Sequence, residues 1–99
     1  MFYIKAKAVK TLDNTSYPEI VCCEFCDVCG VKYNIIEKWP VVSDEKFTNI
    51  FPCDCLIACT IVGENANYYI VDTDEPWGIE SVDGKHIFDI GKELLIMED

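Results

Sequence analysis

The chain has 99 residues, enough for one domain with a modest core, and its 51% hydrophobic content excludes a disordered, solvating polypeptide. Eight Lys and Arg against eighteen Asp and Glu leave a net charge of −10, which repels phosphate backbones and anionic lipid and so disfavours direct binding of nucleic acid or membrane. No apolar run approaches the roughly 18 residues of a membrane-spanning helix.

Residues 2–9 alternate, with Phe2, Ile4, Ala6 and Ala8 on one face and Tyr3, Lys5 and Lys7 on the other, which is the period of a strand. The same segment has no basic stretch ahead of an apolar one, so a signal peptide is not expected there. The expected location is therefore the cytoplasm, with reduced thiols. Asp13, Asn14, Ser16 and Pro18 mark a turn. A second strand runs from about Glu19 to Val28, Gly30 breaks it, and Val31 to Trp39 returns as a hairpin partner. Pro40 ends the pairing or leaves an edge. Ser43 can cap one helical turn over Ser43-Asp44-Glu45-Lys46-Phe47, inside a loop spanning residues 43–54.

Leu56 to Val62 forms the next strand, Glu64-Asn65-Ala66-Asn67 its turn, and Tyr68 to Thr73 the return. Asp74-Glu75-Pro76-Trp77-Gly78 makes an irregular corner. Ile79 to Val82 and Lys85 to Ile90 flank Asp83-Gly84, a dipeptide suited to a type I′ hairpin turn with both central residues at positive φ. Gly91-Lys92-Glu93 turns again before a short final strand or tail, Leu94-Leu95-Ile96-Met97. Six or seven short strands with closely spaced turns indicate a mainly β fold. The expected form is a small antiparallel barrel or sandwich with at most one short helical turn, in a single domain over residues 1–99.

Seven cysteines, an odd number, do not make a fully paired disulfide framework. Cys26-Asp27-Val28-Cys29-Gly30 has the form of a zinc knuckle, and Cys53 and Cys55 would complete a four-thiolate site. The competing reading is that the cysteines are small hydrophobes in the core. Strand parity puts Cys22 and Cys26 on one face with Cys23 on the other, and lets Cys55 and Cys59 share a core face. His86 is the only histidine and sits on a hairpin strand. No nucleophile elbow, phosphate-binding glycine loop or metalloprotease motif accompanies it, so no enzyme activity and no catalytic residue is expected.

The segment from Tyr68 to Glu80 concentrates rings and carboxylates. Trp and Tyr recur at binding hot spots, and carboxylates pair with the Lys and Arg of a partner. The candidate partner-binding residues are Tyr68, Tyr69, Asp72, Asp74, Glu75, Trp77, Glu80 and Asp83. Against this, Trp39 and Trp77 could fill the core while the acids face water.

Two stretches, residues 25–43 and 72–84, resemble a group of small bacterial immunity proteins associated with contact-dependent growth inhibition and polymorphic toxins. Pro76-Trp77-Gly78-Ile79-Glu80-Ser81 is the specific part and Glu37-Lys38-Trp39-Pro40-Val41-Val42 supports it. The resemblance implies a cytoplasmic inhibitor that binds a cognate toxin domain; the acidic charge adds the expectation that this domain is basic and of the nuclease class, and no cofactor is expected. The group's pattern does not require cysteine at Cys26, Cys29, Cys53 or Cys55. The alternative expectation is a small zinc-binding β module acting as an adaptor between proteins.

Overall fold

The computed structural model describes residues 1–13, 15 and 17–98. The alternation that begins at Phe2 carries on further than residue 9, giving β1 (Phe2–Asp13), with Ile4, Ala6 and Ala8 buried and Lys5 and Lys7 exposed. Two register irregularities, between Ala8 and Lys10 and between Thr11 and Asp13, let β1 stay paired with β2 (Ile20–Cys26) over this length. Of the turn expected at Asp13, Asn14, Ser16 and Pro18, the residues Asn14 and Ser16 lie outside the described ones.

β2 pairs antiparallel with β3 (Lys32–Lys38), and Trp39 to Val42 then form a single helical turn, α1. This corrects the expectation of a turn capped by Ser43. Pro40 sits in the first turn, where a missing N–H costs nothing and a fixed φ suits the helix. Ser43 instead ends the turn, its N–H donating to the Trp39 carbonyl at 3.0 Å, and its hydroxyl accepts from the Glu45 N–H. β4 (Cys53–Glu64) starts three residues earlier than expected and is as long as β1. β5 (Tyr68–Asp72) returns from it through a turn in which the Asn65 side chain accepts from the Asn67 and Tyr68 N–H groups. β6 (Ile87–Gly91), a 3-10 turn at Lys92–Leu94 and β7 (Leu95–Met97) complete the chain.

The strands form an antiparallel sheet in the order β3-β2-β1-β4-β5-β6, with β7 pairing the start of β1. The sheet curls until its two ends meet. Phe88 of β6 packs edge-on against Phe25 of β2 and Tyr33 of β3, with ring centroids 5.0 and 4.9 Å apart. Two main-chain bonds join the ends as well, Val28 N–H to the Asp89 carbonyl and Val82 N–H to the Asn34 carbonyl. The result is a partly closed barrel around a core of Ile4, Val21, Ile35, Ile57, Val71, Ile79, Phe88 and Ile90.

Residues 79–82 are not a strand, which corrects the hairpin expected there. A turn does form, but Gly84 alone has positive φ and Asp83 does not. The Gly84 N–H donates to the Ser81 carbonyl and the Ser81 N–H to the Lys85 carbonyl. This is a three-residue loop that ends on a left-handed glycine, not the two-residue I′ form.

Candidate functional site

The core reading holds for several of the cysteines. Cys23, Cys55 and Cys59 belong to the core, and Cys53 packs against it half-buried. In register, Ala8 of β1 lies between Cys23 and Cys53, and Ala6 lies opposite Cys55. These small residues leave room over β1 for the Cys23 and Cys55 thiols to hydrogen-bond. That bond, together with burial, holds the Cys23 thiol well above the ordinary range. Burial alone pushes Cys59 up to about 12. Cys26 and Cys29 are exposed at the β2–β3 turn, on the far side of β1 from β4. The proposed ligand set Cys26, Cys29, Cys53 and Cys55 is therefore dispersed. Among the described residues no group of three or more His, Cys, Asp or Glu is placed to hold a metal ion.

The aromatic and acidic residues picked from Tyr68 to Asp83 also have separate fates. Tyr69 packs against the core, with the Lys92 ammonium 5.0 Å from its ring centre. Tyr68 is half-buried beside Gly91. Asp72 is half-buried and is paired with the more exposed His86, whose Nδ1 lies 2.8 Å from its Oδ1. That hydrogen bond lowers the Asp72 carboxyl below its ordinary range and raises the His86 imidazole above its own. The Asp74 and Glu75 main chains are used locally, accepting from the Gly78 N–H and the Thr60 hydroxyl. Glu80 is exposed, and exposed Asp83 accepts the Ser81 hydroxyl.

The two tryptophans divide. Trp39 is 7% exposed, packs on Phe47 and donates its indole N–H to the Glu45 carbonyl. Trp77 is 48% exposed, although it is one of the largest apolar side chains in the protein. It stands at a groove of about 600 Å³, and it is the only one of the eight expected binding residues to do so.

Four further parts of the chain join Trp77 in building that groove. β1 and β4 contribute Tyr3, Lys5, Asp54 and Leu56 from the sheet face opposite the core. α1 and the residues after it contribute Pro40, Val41, Ser43, Asp44 and Glu45, and β7 with its extension brings Ile96 and Glu98. The register sets Ile96, Tyr3 and Ala58 in one row across three strands, with Lys5 opposite Leu56 in the next. Four carboxylates, Asp44, Glu45, Asp54 and Glu98, line the groove against one ammonium, Lys5. Asp54 also pairs with Lys7, which lowers its carboxyl below the ordinary range. The surface is thus aromatic and aliphatic within and anionic around, a combination suited to cationic side chains carried on an apolar segment.

Most of this groove lay beyond sequence reasoning. Tyr3 read as the polar side of a strand and Asp44 and Glu45 as a helix start, and nothing singled out Glu98. Only the exposed tryptophan within Pro76-Trp77-Gly78 pointed to it.

No helix among the described residues is long and apolar enough to cross a membrane. The chain matches no protein-family model, no curated protein and no solved structure.

Proposed function

We propose that the protein is an immunity-type inhibitor that binds and neutralises a basic toxin domain, with a nuclease as the class that best fits its charge. The half-exposed Trp77 at a groove lined by Asp44, Glu45, Asp54 and Glu98 carries this reading. A nuclease must present cations to a phosphate backbone, and carboxylates arranged around an apolar anchor can occupy those cations in place of phosphate. The net charge of −10 draws such a partner in at long range, while the ring supplies desolvated contact. The protein then works by occupying a surface, and His86, held by Asp72, serves the fold.

The test is co-expression with the product of the adjacent reading frame, followed by measurement of binding in low and high salt. The expected result is a stable complex whose association slows markedly as salt rises. Trp77→Ala should weaken it by on the order of thirtyfold, as loss of a hot-spot anchor does. Free protein in the presence of that product would overturn the proposal.

A further inference from the structure

β4 gives one edge to β1 from Cys53 to Cys59 but meets β5 only from Thr60 onward. Hydrogen-bond alternation shows which edge is left over. Met1 and Glu98 exchange both main-chain bonds between β1 and β7, at 2.7 and 2.9 Å. The odd-numbered residues at the start of β1 therefore face β7, and the even-numbered ones face β4. Their partners on β4 are Cys53, Cys55, Ile57 and Cys59, so the N–H and C=O of Asp54 and Leu56 point away from β1. On the other side, the Thr73 N–H donates to the His86 carbonyl, which turns Thr73 to β6 and Asp72 to Thr60. β5 thus occupies the same edge as Asp54 and Leu56, but it stops short of them where the chain leaves through the Asp74–Gly78 corner. Among the described residues nothing pairs with the main chain of Asp54 or Leu56 on that edge.

This free edge lies in the groove already described, beside Asp44, Glu45 and Trp77. A row of unpaired donors and acceptors inside an anionic channel is a template for one more strand. We infer that the edge at Asp54 and Leu56 receives an extended segment of the cationic partner, added to β4 as a strand with Lys or Arg at alternate positions. Main-chain bonds would supply affinity without regard to sequence. The carboxylates, reached by every second side chain, would select basic residues. This inference rests on the docking reading and gives it a geometry.

Amide hydrogen exchange decides it, measured residue by residue in the free protein and in the complex with the adjacent gene product. In the free protein the amides of Asp54 and Leu56 should exchange quickly while those of Cys55 and Ile57, bonded to β1, are protected. In the complex Asp54 and Leu56 should slow by at least tenfold. An intact complex in which both still exchange at the free rate overturns strand addition and leaves docking standing. Absence of a complex overturns both. Protection already present in the free protein, together with a dimer mass, assigns the edge to a second copy and overturns the inference. Leu56→Pro, which removes one donor, should weaken binding at least tenfold; the exchange experiment on the unaltered chain does not depend on that variant folding.

Discussion

Two five-residue turns of this molecule, Asp27-Val28-Cys29-Gly30-Val31 and Ser81-Val82-Asp83-Gly84-Lys85, read quite differently as sequence and are built alike. In each, the glycine N–H donates to the carbonyl of the first residue, at 3.0 and 2.9 Å, and the first N–H to the carbonyl of the fifth, at 2.9 and 2.8 Å. The first side chain, Asp27 Oδ1 or Ser81 Oγ, accepts from the fifth N–H. Both glycines have φ of +82°. The valine in second place sends its N–H out to a distant strand, Val28 to Asp89 and Val82 to Asn34. These two bonds tie the ends of the curled sheet. The turns differ in depth: Ser81 is 3% exposed whereas the Asp27 turn lies at the surface, with Cys29 in water. A cysteine motif that suggested zinc is thus a turn that closes a barrel, with two thiols incidental to its geometry.

If both turns hang on one closing contact, the largest effect should come from Phe88, where β6 meets Phe25 and Tyr33. Phe88→Ala should cost about 3–5 kcal/mol in urea unfolding. It should also speed exchange of the Val28 and Val82 amides together; acceleration of only one would break the equivalence. Next come the glycines. An added Cβ meets nothing within 4 Å at either Gly30 or Gly84, so only the backbone conformation is penalised. Gly30→Ala and Gly84→Ala should each cost about 1–2 kcal/mol, the price of the left-handed region for an L-residue. Equal losses in denaturant titrations would sharpen the comparison, and clearly unequal ones would break it.

A smaller effect separates the turns by pH, because the Ser81 turn leads into the His86–Asp72 pair, which carries the protein's one histidine, whereas the Asp27 turn leads into a pair of Lys32 with Glu24. The folded His86 imidazole is raised above 6.5, so its contribution is complete below that value and fades as pH rises through the raised one. The folded Asp72 carboxyl is lowered below 3.8, so its contribution is present above that value and is lost as pH falls through the lowered one. The pair therefore stabilises most between these limits, in mildly acidic solution. An NMR titration of His86 should give a midpoint above 6.5 that returns toward it in Asp72→Asn, and an unshifted midpoint would remove the clamp. The smallest effect is expected at the thiols of the Asp27 turn. Cys26→Ser and Cys29→Ser should each change stability by no more than about 0.5 kcal/mol, as exposed substitutions do. In the native protein a thiol reagent read by mass spectrometry should label these two well before Cys23, Cys55 and Cys59. A large loss in either variant would restore a structural role for the pair.

Much of the fold was legible in residues. The alternation at Phe2 to Ala8 announced β1, Gly30 and Gly84 announced turns, and the parity of Cys55 and Cys59 put both in the core. The positions of errors are instructive. Ser43 looked like a cap because Ser caps helices, but Pro40 had already claimed the first turn. Asp83-Gly84 looked like a type I′ turn, but the long-range bond from Val82 and the buried Ser81 favoured the three-residue loop. Tyr69 and Asp72 looked like surface until the core and His86 took them.

Periodicity, turn chemistry and charge are local or summed properties, and by themselves they determined that this chain is an antiparallel β protein with a strongly acidic surface. The groove is of another kind. It joins Tyr3, Glu45, Trp77 and Glu98, and its free edge exists because β5 ends one residue short of where β1 begins to pair. Only the curling of the sheet, driven by burial of Phe25, Tyr33 and Phe88 against one another, could decide which of eighteen carboxylates would share a surface with an exposed tryptophan.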